Sequence, residues 1–310
     1  MNRIHFLGEC MVELRILDDT TMGQSFAGDV YNSAVYLKRC YPDIATSIIT
    51  AIGKDKLSNN MLDCFKSENL DTGFVFQHDS KAPGLYLIET DALGERSFTY
   101  WRNDSAARKI TGFLNDEVLK KLSPGDLLFL SGISLAVIEE NARTAFWDKL
   151  KQLKAAGVKI VFDPNYRARL WRDQEQAKEQ FHNAFTLSDI ALPGVEDLAE
   201  LYGVDSPQGV IDFCRPYELE EIVVKNGPES VVTFANHELL SHEITPVTQV
   251  VDTTSAGDAF NGVYLGARLS GRGVAEAVHL AATAAGTVIQ HPGAIAPRVP
   301  FLNVMTNAGV

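Results

Sequence analysis

Asp126-Leu127-Leu128-Phe129-Leu130-Ser131-Gly132 and Lys159-Ile160-Val161-Phe162-Asp163 decide how this chain folds. Each is a short apolar run ending on small or polar residues. Each leads into a segment with apolar residues at helical spacing, about 139–156 and 174–187. The pattern repeats with Ile190-Ala191-Leu192, a helix over about 196–202, and Glu221-Ile222-Val223-Val224-Lys225. Strands alternating with helices make βαβ units, and these build a parallel sheet covered on both faces. Ligands of such sheets bind beyond the carboxyl ends of the strands. The polar residues of this half gather there, with Asn165 and Arg167 after one strand and Lys225 at the end of another.

Towards the N-terminus the pattern extends and then changes. Ile4-His5-Phe6-Leu7-Gly8 reads as a buried strand, and Glu9-Cys10-Met11-Val12-Glu13-Leu14 alternates as a half-exposed one. Phe26-Ala27-Gly28-Asp29-Val30-Tyr31-Asn32 opens a helix. Asp29 and Asn32, three apart, share a face of its first turn, as a cap with a neighbour or as a pair that grips hydroxyl groups. Ile48–Ile52 is a strand, followed by a helix through Met61 and Phe65. Gly84–Thr90 and Arg96–Arg102 then alternate around Asp91-Ala92-Leu93-Gly94-Glu95, which predicts a β-hairpin. Tyr86 and Ile88 share one face of it, as do Phe98, Tyr100 and Arg102. That surface suits an edge, a dimer contact, or a lid over an anion. The region 210–220 is ambiguous, and there is no internal repeat or long linker.

Towards the C-terminus, Val251-Asp252-Thr253-Thr254-Ser255-Ala256-Gly257-Asp258-Ala259-Phe260 runs from a turn into a helix that continues through Val263 and Leu265. Small residues let backbone N–H groups approach an oxyanion, and a helix N-terminus favours negative charge. A carboxylate there serves as a cap or as a general base. The last helix, about 274–290, is rich in alanine.

Composition narrows the classes. The chain has 310 residues, 45% hydrophobic and 22% charged, with a formal net charge of −12. That charge opposes non-specific binding to nucleic acid or to an anionic membrane surface. No apolar run approaches the ~20 residues needed to span a bilayer. The start lacks a signal-peptide pattern, so a cytoplasmic protein with reduced thiols at its four cysteines is expected. No Walker motif, no G-x-G-x-x-G, no G-x-S-x-G elbow and no histidine pair at metal spacing occurs. What remains suits phosphoryl transfer to a hydroxyl, with Asp258 as proton acceptor.

The 251–260 segment resembles the C-terminal signature of the ribokinase-like (PfkB) sugar kinases, D-T-x-G-A-G-D-x-F. Phe26–Asn32 resembles their N-terminal G-G-x-x-x-N motif. Gly8–Leu14, Pro83–Tyr86, Gly94–Arg102, Ser131–Ala136 and Asp163–Trp171 are most similar to 2-keto-3-deoxygluconate kinases within that family, although bacterial fructokinases share parts of the last. The resemblance implies one ribokinase-like α/β domain over 1–310, a mostly parallel central sheet with helices on both faces. It also implies a small β lid formed by about 10–25 and 74–104.

The activity implied is ATP-dependent phosphorylation of 2-dehydro-3-deoxy-D-gluconate to its 6-phosphate. The alternatives are a fructokinase or other hexose kinase, or a non-catalytic sensor of sugar or nucleotide. The cofactors implied are ATP and Mg²⁺, with a monovalent cation left open, and a homodimer through the lid is a further option. Ser255, Ala256 and Gly257 are expected to offer backbone donors to the transferring phosphate, with Asp258 as base. Gly28, Asp29 and Asn32 are expected to hold sugar hydroxyls, while Tyr86, Tyr100, Arg102 and Arg167 read the carboxylate. Asn165, Lys225, Gly227 and Gly257 are expected to line the nucleotide site. Either Glu196 or Asp197 is expected to act indirectly on the metal. Ser255 departs from the family motif, which usually has Gly there.

Overall fold

A computed structural model describes residues 3–18, 20–90 and 96–310. In chain order its strands are β1 (Arg3–Leu7), β2 (Met11–Ile16), β3 (Met22–Ala27), β4 (Ala45–Ile52), β5 (Val75–Gln77), β6 (Leu85–Thr90) and β7 (Arg96–Trp101). They continue with β8 (Leu127–Ser131), β9 (Lys159–Asp163), β10 (Ile190–Ala191), β11 (Glu221–Asn226), β12 (Ser230–Ala235) and β13 (Glu238–Glu243).

The large sheet has nine strands in the order β13-β12-β11-β10-β9-β8-β1-β4-β5. All its pairings from β11 to β5 are parallel, and β12 and β13 add an antiparallel edge. The apolar runs of β1, β8 and β9 are buried because helices cover both faces. One face packs against helices Asp29–Cys40, Ala256–Leu269, Val274–Val288 and Arg298–Ala308, the other against Arg143–Ala155, Gln174–Leu187, Val195–Tyr202 and Pro207–Cys214. The chain leaves β1 for β4 on one side and later places β8 on the other side of β1. This reversal opens a crevice at the carboxyl ends of the strands. The mostly parallel sheet with helices on both faces is the architecture expected from the sequence.

A second, four-stranded sheet runs β3-β2-β6-β7. Tyr86 lies opposite Tyr100, and Ile88 opposite Phe98, as the hairpin pattern predicts. The loop Asp91–Glu95 lies outside the described residues. Met22–Ala27, which lacks alternation, becomes a strand by pairing with β2. The stretch from residue 74 does not begin this sheet, because β5 extends the edge of the large one next to β4.

Other boundaries move for local reasons. The helix expected from about 139 starts at Arg143. Gly132–Val137 forms its own short helix under a reciprocal Ser131–Ser134 capping box. The ambiguous 210–220 region contains the helix Pro207–Cys214, capped by Ser206 and started by Pro207. The β12–β13 hairpin and the last helix are additions to the sequence reading. No helix among the described residues is long and apolar enough to cross a membrane.

Candidate active site

The helix Ala256–Leu269 starts from Ser255, whose φ of 67° and ψ of 9° are left-handed. This is the backbone region that favours glycine and costs another residue about 1–2 kcal/mol. It accounts physically for a glycine at this place in the motif. The Ala256 N–H turns back to the Thr253 carbonyl at 3.3 Å. No side chain caps the helix, so the first-turn donors left for an anion are those of Gly257 and Asp258. The Ser255 hydroxyl makes no aligned hydrogen bond, yet lies near enough to Asp258 to favour its charged form.

Asp258 is half-buried and accepts a hydrogen bond from Asn32 Nδ2 at 2.8 Å. Burial, and next the charge of Asp29, push its carboxyl up to about 7. Asp29 is itself raised by burial and accepts from Asn165 Nδ2 at 3.0 Å. Asn32 takes the Gly28 N–H on its Oδ1 at 3.3 Å, so one asparagine ties the start of its own helix to Asp258. Gly28 has no room for a side chain, since a Cβ would come 2.3 Å from the Glu9 carbonyl.

Lys225 Nζ lies 3.1 Å from both Asp163 Oδ2 and Asn261 Oδ1, and Asn261 Nδ2 donates to the same Asp163 oxygen at 2.6 Å. The ammonium sits 3.9 Å from where a Gly257 side chain would begin, so it lies beside the anion-binding helix start. Gly227 has a left-handed φ of 53°, which turns the chain out of β11. Asp163 and Asn261 belong to this cluster although neither is among the expected site residues. Asn261 was legible, being three residues from Asp258 as Asn32 is from Asp29.

The two acid candidates separate. Glu196 is exposed. Asp197 accepts the Tyr166 N–H at 3.0 Å, and its carboxyl is raised to about 6, first by burial and then by Asp163.

Both arginines expected to read the carboxylate lie beside acids. Arg167 does not join the lid tyrosines. Its Nη1 donates to the Tyr166 carbonyl at 2.7 Å and lies 3.4 Å from Asp197. Two residues on, the short 3₁₀ turn Ala168–Leu170 carries Arg169 to the lid instead. There Nη2 donates to the Tyr100 hydroxyl at 2.6 Å, and the guanidinium carbon lies 4.1 Å from the ring centroid. Arg102 lies against Glu9. It is buried with its Nη2 2.5 Å from Glu9 Oε2, outside hydrogen-bond alignment, so both Glu9 oxygens and Arg102 Nε and Nη2 make no hydrogen bond.

Tyr86 stacks on Tyr100 at 5.5 Å and donates its hydroxyl to Glu13, a residue the sequence reading did not single out. A groove of about 430 Å³ lined by Arg143, Trp147, Arg172 and Gln180 holds none of these groups. Chemistry rather than volume marks the site.

Comparison with known proteins gives the family. The pfkB family carbohydrate kinase model matches residues 1–301. The 2-dehydro-3-deoxygluconokinase of Escherichia coli K12 is 37% identical over 302 residues, 96% of this chain and 97% of that protein. The fructokinase of Vibrio alginolyticus is 28% identical over 267 residues, 86% of this chain and 83% of that one. The crystal structure of 2-dehydro-3-deoxygluconokinase from Thermotoga maritima superposes with a TM-score of 0.81 at 20% identity, covering 99% of this chain and 100% of that one. An uncapped helix start, a carboxylate beside it and a lysine beneath it are thus found on a chain that belongs to the pfkB family of carbohydrate kinases.

Proposed function

We propose that this carbohydrate kinase phosphorylates 2-dehydro-3-deoxy-D-gluconate on its 6-hydroxyl at the expense of ATP. The observation that carries the reading is Asp258, held by Asn32 and titrating at about 7 beside free first-turn N–H groups. Above that pH the carboxylate takes the hydroxyl proton. The freed oxygen bonds to the γ-phosphorus as the bond to the bridging oxygen breaks, and ADP leaves. The N–H groups of Gly257 and Asp258, with Lys225 beneath, face the charge that develops on the transferring phosphoryl group. In this reading Asp29 and Asn32 hold the sugar hydroxyls, Asn165 and Gly227 border the nucleotide, and the lid excludes water.

Asp163 and Asp197 would hold Mg²⁺. Asp163 keeps a buried Oδ1 without a hydrogen bond, and Asp197 lies close enough to feel its charge. Oxygen donors of this kind suit a hydrated hard cation, which neutralises phosphate charge when bound. A reaction that draws on ATP belongs in the cytoplasm.

The substrate choice is supported by the closer identity to the E. coli sugar-acid kinase than to the fructokinase. The test is ADP release with the keto acid, gluconate, fructose and ribose compared directly. The keto acid should give the highest kcat/KM, and a preference for fructose would replace this reading with the hexose-kinase one.

The pH profile carries a second expectation. Because Asp258 is an acid raised to about 7, its base form accumulates only as pH rises through that value. The acid limb of kcat/KM should therefore have its midpoint near 7. Asp29→Asn removes the charge that helps raise Asp258, so the limb should move to lower pH even though sugar affinity falls. A midpoint that stays in place in the variant refutes the coupling.

A further inference from the structure

The outer helical layer carries a second polar hollow. The groove of about 430 Å³ is lined from the helices Arg143–Ala155 and Gln174–Leu187, and its volume suits a small molecule. Six charged residues line it. Four of them are paired, with Arg172 at 2.8 Å from Glu140 and Lys151 at 3.5 Å from Asp148. Glu179 is exposed.

Arg143 differs from the other five. It alone of the six is buried, at 8% exposure, and it makes no ion pair among the described residues. Its Nη2 donates to the Ala136 carbonyl at 3.3 Å, whereas Nε and Nη1 make no hydrogen bond. The guanidinium carbon lies 5.1 Å from the centroid of the Trp171 ring, which orients the group but gives its N–H groups no acceptor. Burial works against its charge. An arginine nevertheless stays protonated, and a buried charge with unmet donors is costly unless an anion answers it.

The surroundings select the anion. Glu140, Asp148 and Glu179 are exposed around the groove and disfavour a second negative charge. A carboxylate brings one charge and two acceptor oxygens, so it suits the place better than a phosphate. Asp258, Asp29, Asn32 and Lys225 do not line this groove.

We propose that the groove between these outer helices is a binding site for a small carboxylate, which accepts from the unmet N–H groups of Arg143 and lies apart from the catalytic crevice. It stands whichever sugar the crevice phosphorylates.

Trp147 lines the groove and Trp171 lies against Arg143, so occupancy should change tryptophan fluorescence. The test titrates acetate, and inorganic phosphate at equal ionic strength, into the parent enzyme and into Arg143→Met, which keeps an apolar stem and removes the guanidinium. The parent's fluorescence should saturate with acetate, and acetate should raise its Tm. Arg143→Met should weaken acetate binding at least about tenfold, the size of a lost hydrogen bond to a charged group. Phosphate should bind the parent more weakly than acetate. Without added anion, the Tm of Arg143→Met should equal or exceed the parent's, because an unpaired buried charge is gone, and kcat and KM should stay within about twofold. No saturable response in the parent overturns the proposal whatever the variant does. Equal acetate titrations in parent and variant place the anion elsewhere and also overturn it. Tighter binding of phosphate than of acetate overturns the assignment to a carboxylate.

Discussion

Asp258→Asn should lower kcat by about 10²–10⁴, the range typical of a lost general base, while KM for sugar and ATP changes only a few-fold. The substitution keeps size and shape, and an amide oxygen can still accept from Asn32 Nδ2. What disappears is the proton acceptor. Folding should not suffer, because the native site works against ionisation at this position, by burial first and by Asp29 next. Removing the charge relieves that repulsion, so Tm should hold or rise. Steady-state kinetics with an equilibrium binding measurement checks the first part, and a melting curve the second. Turnover within a few-fold of the parent would show that another group takes the proton. A loss of kcat that comes with a large loss of Tm would show a helix cap rather than a base.

The reading of Asp258 shows how the sequence carries function and where it stops. The motif from Val251 to Phe260 placed the carboxylate at a helix start, and the structure keeps it there. Whether it is a cap or a base depends on its neighbours from residues 29, 32 and 163, which only the folded chain brings near. The strand–helix alternation from Asp126 to Lys225 was legible because both faces of that sheet are covered, so each strand is an uninterrupted apolar run. β3 was not legible. Gly23, Gln24 and Ser25 have no strand pattern, and the strand exists because β2 offers it a partner. The β12–β13 hairpin and the β5 edge likewise owe their places to pairing rather than to periodicity.

The arginines mark a different limit. Arg102, Arg167 and Arg169 are equivalent as residue types, and the strand ends that hold them say only that they gather near the crevice. Which of them is paired with an acid is decided by Glu9, 93 residues from Arg102, and by Asp197, 30 residues from Arg167. Charge compensation across long sequence separations cannot be read from spacing. The side of a helix can be read. Asp197 and Glu196 are adjacent, so about 100° of rotation separates them, and only one can face Asp163. Choosing between them from sequence required the exact start of the Val195–Tyr202 helix, the least secure feature of any such reading.

Gly262→Ala should be the most damaging single methyl group in the site's scaffold. The helices Asp29–Cys40 and Ala256–Leu269 cross here, and a Cβ on Gly262 would lie 2.1 Å from the Ser33 carbonyl oxygen and 3.1 Å from the Leu37 nitrogen. All these neighbours are backbone, so no side chain can swing aside. Real Cβ atoms keep beyond about 3.0 Å, which leaves roughly 1 Å to be found by moving one helix against the other. One helix carries Asp29 and Asn32 on its first turn, and the other carries Asp258 and Asn261. The Asn32–Asp258 bond spans the gap that must widen. Overpacking of this kind costs about 1–3 kcal/mol, so Tm should fall by several degrees, on the order of 2–4 °C per kcal/mol. A displacement of about 1 Å at the base should cost about 10²-fold in kcat/KM at a temperature where the variant is still folded. Gly112→Ala is the control, because a Cβ there meets nothing within 4 Å. It should leave both quantities near the parent values. If Gly262→Ala melts lower but keeps full kcat/KM, the two helices need not keep their spacing for catalysis, and Asn32 orients Asp258 less strictly than their 2.8 Å contact implies.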